Sequence, residues 1–406
     1  MKILQINNYH YYRGGSETVY LNTGKLLKEK GHSVAYFSSK SELNIPSNFE
    51  NYFIENFETN PGTKIKKLKK FIYNATAAKK IEELIIDFKP DIAHLHIFYG
   101  LLTSSILTVL KKYKVRTIMS VHEYRMLCPV YTHINGKGLI CEKCKSPNFI
   151  DCIINRCCRN SYSASFAVSL ECFIRDKYYN YLKHVDHFIM VSNFIKNKHI
   201  AANISFSEKS TCIYNFSEIK EFNSLIKNND FVYFGRLSKE KGLITLIKAM
   251  HKIPKFNLKI IGTGPQQELI RNYIKSNGIM NVKLLGYKSG NELIAEVATS
   301  KYTIIPSEWF ENNPMSLIES LSYGIPVIGA NIGGIPELIN NSTGFLFESG
   351  SVENLVETLT KAILLPVNDY KILSKNSFDF AQEFFSKEKH YNELMKVYIE
   401  VAKPIN

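Results

Sequence analysis

Short apolar runs alternate with helix-like segments along the first half of the chain. The run KILQIN leads through a Gly-Gly turn into the helix candidate SETVYLNTGKLLKEKG, and HSVAYFSS follows as a strand. Farther on, AAKKIEELIIDFKPDIAHLHIF gives helix, Pro break and strand. KVRTIMSVHEY gives another strand, and VDHFIMVSNFIKNKHI repeats strand-then-helix near residue 190. This rhythm predicts a parallel sheet covered on both faces. A second series runs FVYFGRLSKEKG, NLKIIGTGPQ, NVKLLGY, YTIIPSEW, IPVIGANIGG and TGFLFE, each an apolar strand ending in Gly, Ser or Pro. The chain therefore reads as two doubly wound α/β domains, residues 1–212 and 213–385, with a linker around residues 212–230. In such sheets ligands gather outside the carboxyl ends of the strands.

With 406 residues the chain is long enough for two domains and a large core. Hydrophobic content of 45% and charged content of 22% fit a soluble globular protein. Its apolar stretches, such as SFAVSLECFI, fall short of the ~18 residues a membrane span needs. The start, MKILQINNYH, reads as a buried strand and lacks the pattern of a signal peptide, so a cytoplasmic location is expected. Charge is uneven. Residues 1–215 carry 30 Lys+Arg against 17 Asp+Glu, a net +13, while residues 216–406 carry 21 against 20, a net +1. A basic half suggests nucleic acid, an anionic membrane or a phosphate-bearing substrate. No nucleic-acid recognition motif accompanies it, and its cations are not interleaved with aromatics as a base-stacking surface requires.

The stretch PSEWFENNPMSLIESLSYGIPVIG brings two carboxylates to the start of one helix. Asn313 suits an N-cap, Pro314 the first helical position, and Gly324 with Pro326 a stop, so a helix is expected over about 314–323. Glu311 then precedes the helix, and Glu319 lies roughly 7 Å along its axis. Between them stand backbone N–H groups and the positive end of the helix dipole, an arrangement suited to a diphosphate with a sugar at one carboxylate and a ribose at the other.

Nucleotide sugars react by losing a diphosphate whose developing charge must be neutralised. The chain has no Asp-x-Asp to hold a divalent metal for that purpose. Arg236 and Lys241, in FGRLSKEKG, supply two fixed cations just past a strand instead, so no catalytic cofactor is expected. In YYRGGSETV, Gly14 and Gly15 lie between strand and helix and would let backbone approach a ligand, without the G-x-G-x-x-G fingerprint.

These blocks, together with PDIAHLH, SVHEYRMLCP and IGTGP, resemble the family-4 glycosyltransferases, retaining enzymes of GT-B fold. The resemblance spans nearly the whole chain, and the E-x7-E block is its most specific part. It implies two Rossmann-like domains facing a central cleft: an acceptor-side N-terminal domain and a nucleotide-sugar-binding C-terminal one. Residues 386–406 are expected to form a helix packing back toward the first domain. The resemblance further implies that Arg236 and Lys241 bind the donor diphosphate, Glu319 the ribose, and Glu311 the donor sugar. Asn312 and Met315 set donor preference with Asn313, and backbone around Asn313, Pro314, Met315 and Ser316 contacts sugar and phosphate. Gly14 and Gly15 close over the phosphates. Gly262, Gly286 and Tyr287 flank the base, and His122 contacts the donor sugar. His94 and His96 are read as structural or acceptor-side. ENNPMSLIES departs from the Gly-Phe-Gly sequence many relatives carry after the first Glu. The implied function is transfer of a hexose-type sugar from a nucleotide-diphosphate donor to a saccharide acceptor, lipid-linked, in bacterial surface polysaccharide biosynthesis. The alternatives are a non-catalytic nucleotide-sugar-binding subunit of an assembly complex and a GT-B nucleotide-sugar epimerase.

Two features stand apart from that site. Six of the eight cysteines fall between Cys128 and Cys158, in an insertion at about 126–160. Cys141 and Cys144 form a C-x2-C, and some family relatives carry cysteines at positions like Cys128, Cys141, Cys144 and Cys157. Structural zinc and a group of reduced thiols are both open readings. The stretch TKIKKLKKFIYN sets Lys64, Lys66, Lys67, Lys69 and Lys70 beside Leu68, Phe71 and Ile72, as a helix attracted to an anionic bilayer would. A peripheral position at the inner face of the cell membrane is the expectation it supports.

Overall fold

In the computed structural model of the chain, six parallel strands form the sheet of a first unit: β1 (Lys2–Tyr9), β2 (Ser33–Ser39), β3 (Ile92–Leu95), β4 (Arg116–Val121), β5 (His187–Met190) and β6 (Ser210–Cys212). Their order is β2-β1-β3-β4-β5-β6. A second unit holds β7 (Asp230–Phe234), β8 (Asn257–Ile261), β9 (Val282–Gly286), β10 (Tyr302–Ile305), β11 (Val327–Ala330) and β12 (Gly344–Phe347), in the order β12-β11-β10-β7-β8-β9. The units comprise Met1–Ile213 with Tyr391–Asn406, and Tyr214–His390. The structure describes residues 1–56, 63–219 and 230–403. Residues 220–229 of the expected linker, and 404–406 of the expected last segment, lie outside the described residues.

The strands form because helices bury both of their faces. Every residue of β3, β10 and β11 is buried, which is why these segments read as continuous apolar runs rather than alternating ones. In each sheet the strand order reverses once, between β1 and β3 in the first and between β7 and β10 in the second. Loops leaving the two strands at such a point part to opposite sides and open a crevice at their carboxyl ends.

The chain returns to its first unit at the end. From the helix Lys387–Ala402, Leu394, Val397 and Tyr398 pack into the core of Ile3, Tyr20, Leu27, Val34 and Ile92. The first unit also contains the helix Tyr162–Tyr178, whose inner side is ionic. Glu171 accepts from Arg125 and from Arg175, both at 3.1 Å, and Arg175 donates to the Arg125 carbonyl at 3.0 Å. All three side chains are buried. This cluster ties the segment after β4 to the helix.

One local expectation requires correction. The helix after Glu311 runs Met315–Ser322 with Pro314 as its N-cap, and Asn313 does not cap it. The Asn313 Oδ1 instead accepts the Asn215 backbone N–H at 2.8 Å, and Asn215 Nδ2 donates to the Asn313 carbonyl at 3.1 Å. A tertiary partner has taken the side chain that a local rule gave to the helix. Among the described residues no group of three or more His, Cys, Asp or Glu side chains is placed to hold a metal ion. The eight cysteines are free thiols. Burial pushes Cys144 up to about 12 and also raises Cys128, while the Cys152 side chain draws the Cys157 thiol down to about 7 by hydrogen bonding.

Candidate active site

Lys241 and Glu311 meet at the reversal point of the second sheet. Lys241 lies in the loop after β7 and Glu311 in the loop after β10, and Lys241 Nζ stands 2.6 Å from Glu311 Oε1. Ser307 Oγ donates to the same oxygen at 2.7 Å. Lys241 Nζ also lies 5.2 Å from the centroid of the Trp309 ring. Burial alone would raise the Glu311 carboxyl. Lys241 and Ser307, with the Trp309 indole nearby, outweigh it and hold the carboxyl below its ordinary value. Glu311 is therefore a fixed anion under its own cation.

Close backbone packing holds this arrangement. Gly242 adopts φ +66°, and a Cβ there would stand 1.9 Å from the Pro306 carbonyl oxygen. Only glycine lets the Lys241 loop lie against the end of β10. Gly334 donates its N–H to the Glu311 carbonyl at 2.6 Å and fixes the opposite side of the loop.

Glu319 occupies a different environment in the second turn of the helix Met315–Ser322. No hydrogen bond or ion pair from the described residues engages its carboxyl, and burial pushes it up to about 7. Two carboxylates eight residues apart are thus driven in opposite directions, one by a cation and one by burial. The helix start between them carries the N–H groups that a helix leaves without internal partners. The buried Asn313 Nδ2 has no hydrogen-bond partner among the described residues. Asn312 is buried, while Pro314, Met315 and Ser316 are half-buried.

The remaining second-unit candidates lie at strand ends on the same edge of the sheet. Arg236 is exposed just past β7. Gly262 follows β8, with φ +134°, and its N–H donates to the Gly286 carbonyl at the end of β9 at 2.7 Å. Tyr287 is exposed beside it. In the first unit, Gly14 caps the helix Gly15–Glu29 in extended backbone with φ −165°, which any residue can adopt. A Cβ at Gly14 would touch only the Glu17 carboxylate, at 3.4 Å. The fold itself therefore does not demand glycine there.

His122, just past β4, belongs to a hydrogen-bonded relay. Its Nε2 lies 2.9 Å from His96 Nδ1, and His96 Nε2 lies 2.9 Å from Gln5 Oε1. The Gln5 oxygen can only accept, so His96 carries its proton on Nε2 and presents a lone pair at Nδ1. His122 then donates from Nε2, which leaves its Nδ1 as the acceptor nitrogen. His94 is held behind this relay, with Tyr398 Oη at 2.7 Å and Ser120 Oγ at 2.8 Å.

Sequence reasoning did not single out Gln5, Ser307, Trp309, Glu17 or Glu123. Burial first, with Glu17 adding to it, raises the Glu123 carboxyl to about 7 against the opposing pull of Arg125. Ser307 and Trp309 lie within the stretch that carries Glu311, but neither matched a pattern with known chemistry. Gln5 sits inside an apolar strand, where an isolated buried amide was the available signal.

Two such units, each a six-stranded parallel sheet, define the GT-B class of fold. The chain belongs to glycosyltransferase family 4: a model described as "Glycosyltransferase Family 4" matches residues 13–220, and one described as "Glycosyl transferases group 1" matches residues 216–380. A protein of Klebsiella pneumoniae described as an uncharacterized 42.6 kDa protein in the cps region is 28% identical over 360 residues, 83% of this chain and 87% of its own length. The Escherichia coli UDP-Gal:alpha-D-GlcNAc-diphosphoundecaprenol alpha-1,3-galactosyltransferase is 29% identical over 212 residues, 48% of this chain and 52% of its own. Anabaena HepE, solved in complex with UDP and glucose, is similar in fold with a TM-score of 0.68 and 16% identity, over 98% of this chain and all of that one.

Proposed function

We propose that this protein is a retaining glycosyltransferase that moves a hexose-type sugar from a nucleotide-diphosphate donor to a saccharide acceptor in bacterial surface polysaccharide assembly. The observation that carries the reading is the Lys241–Glu311 pair at the reversal point of the second sheet, beside the start of the helix Met315–Ser322. A diphosphate there would meet Arg236, one of the three donors of the Lys241 ammonium, and the helix N–H groups. The base would lie by Gly262, Gly286 and Tyr287, and the ribose hydroxyls would donate to Glu319. Asn312, Asn313, Pro314, Met315 and Ser316 would line the sugar and phosphates.

The catalytic roles fall to Glu311, Arg236, Lys241 and His122. As the bond from the anomeric carbon to the diphosphate breaks, Arg236 and Lys241 balance the charge that gathers on the leaving oxygens. The acceptor hydroxyl adds from the same face, and its proton passes to the departing phosphate. Glu311, bound by Lys241 and Ser307 through one oxygen, fits an electrostatic partner of the sugar better than a nucleophile. His122 would meet the donor sugar through its acceptor nitrogen, and Gly14 and Gly15 would admit the phosphates. This chemistry requires no metal cofactor.

The Escherichia coli relative, named for a UDP-linked donor and a diphosphoundecaprenol acceptor, supports a nucleotide-sugar donor and a lipid-linked acceptor. The Klebsiella relative's place in a cps region supports the polysaccharide context. A lipid-linked acceptor would bring the protein to the inner face of the cell membrane as a peripheral partner. Among the described residues no helix is long and apolar enough to cross it. Incubating the purified chain with a panel of nucleotide sugars, and following released nucleoside diphosphate and product anomer by NMR, tests the reading. Retention of the donor's anomeric configuration is the expected result. Donor binding without hydrolysis or transfer to any acceptor would identify a binding subunit instead.

A further inference from the structure

The helix Tyr162–Tyr178 turns a row of large apolar side chains outward. Tyr162, Phe166 and Phe173 are 60%, 53% and 39% exposed, and Lys177 is exposed after them. Spacings of four, seven and four residues place these four side chains within an arc of about 60° on the helix. Ser165, Cys172 and Arg175, on the other side, are buried.

Neighbouring helices extend this surface. The short helix Ile150–Ile154 packs against Tyr162–Tyr178 and exposes both Ile150 and Ile154. The lysine-rich helix Lys64–Ile72 packs against it as well, exposing Ile65 together with Lys66, Lys69 and Lys70. Tyr73, which follows that helix, lies 6.0 Å from Tyr179, ring centroid to ring centroid. Cations stand at the level of the rings. The Arg156 guanidinium is 5.4 Å from the Tyr162 centroid, and Lys177 Nζ is 5.4 Å from those of both Phe173 and Tyr178. Arg159 is exposed nearby in sequence, whereas Asp176 is engaged by Arg175 and Ser146.

Grouped exposed aromatics with cations among them match the headgroup layer of an anionic bilayer. Rings enter the interface while Lys and Arg meet phosphate. Each basic residue held at such a surface strengthens binding roughly five-fold. The charge selects the occupant, because a neutral apolar partner would leave the interleaved cations without counter-charges. We propose that the surface built by Lys64–Ile72, Ile150–Ile154 and Tyr162–Tyr178 docks the protein on anionic phospholipid. The aromatic row of Tyr162–Tyr178 forms its inserting part. This inference rests on the membrane-partner reading above and specifies where the contact is made.

Sedimentation with vesicles of phosphatidylcholine, with and without phosphatidylglycerol, tests it on the full chain. The wild type should bind only the phosphatidylglycerol vesicles, and added salt should weaken binding. Phe166→Ser combined with Phe173→Ser should weaken that binding at least about ten-fold, with the thermal midpoint and the rate on a water-soluble acceptor unchanged. The indole introduced by Phe166→Trp should shift its fluorescence to the blue on the same vesicles. If the double variant binds as the wild type does, or the Phe166→Trp emission stays unshifted, the docking surface is wrong and the membrane reading survives. Failure of the wild type to bind phosphatidylglycerol vesicles overturns both. Equal binding to phosphatidylcholine alone overturns the anionic requirement.

Discussion

Lys241 Nζ and Glu311 Oε1 stand 2.6 Å apart although the residues are 70 positions apart in the chain. Glu311 is 7% exposed and Lys241 22%, so the pair is mostly shielded from water. Removing the cation leaves a buried carboxylate without its counter-charge. Because Lys241 is partly exposed, Lys241→Ala should destabilise the protein by roughly 1–3 kcal/mol at neutral pH, the cost of a buried acceptor left unsatisfied. It should also reverse the local pH dependence. In the wild type Glu311 lies below its ordinary value, so its contribution is present above the usual carboxylate range and lost as pH falls through the depressed value. Without Lys241 burial dominates, and stability should instead fall as pH rises through that range. Thermal melts across pH check both signs.

Glu319 makes the opposite prediction. Its carboxyl is raised to about 7 by burial, so ionising it costs the folded state as pH rises from the ordinary carboxylate range toward 7. Glu319→Gln should remove that slope and stabilise the ligand-free protein above pH 7 by roughly 1–2 kcal/mol, a figure reduced for solvent access. In the wild type the affinity for a nucleoside diphosphate should rise with pH toward and beyond 7, because ribose hydroxyls need an acceptor there. The variant should show no such rise by calorimetry.

The Gln5–His96–His122 relay predicts a rate effect. Gln5→Leu removes the acceptor that fixes the His96 proton, and His122 loses its set tautomer. The turnover rate should drop about ten-fold with nucleotide affinity unchanged, and Gln5→Glu should restore part of it. Nitrogen-15 shifts of His122 should report a protonated Nε2 in the wild type. A protonated Nδ1 contradicts the relay.

The buried ionic cluster predicts a stability effect without a catalytic one. Glu171→Leu leaves Arg125 and Arg175 without their shared anion and should cost roughly 3–5 kcal/mol, read from denaturant midpoints.

The sequence carried the fold well because both sheets are buried parallel ones, whose strands announce themselves as apolar runs ending in Gly, Ser or Pro. Arg236, Lys241, Glu311 and Glu319 were visible because each lies in a short linear motif at a strand or helix end. Non-local competition was not visible. Asn313 looked like an N-cap until Asn215 claimed its side chain. Gln5 and His96 are 91 positions apart, and no spacing rule pairs them. The exposed row on Tyr162–Tyr178 read only as a short apolar stretch, because its inner side is made of Ser, Cys, Glu and Arg instead of a core stripe.

Calorimetric titration of UDP into the purified chain in the presence of EDTA measures the diphosphate grip itself. UDP should bind without any divalent ion, with affinity weakened about ten-fold or more by Arg236→Ala and again by Lys241→Ala. Binding that appears only when magnesium is restored, or that both substitutions leave intact, would contradict it.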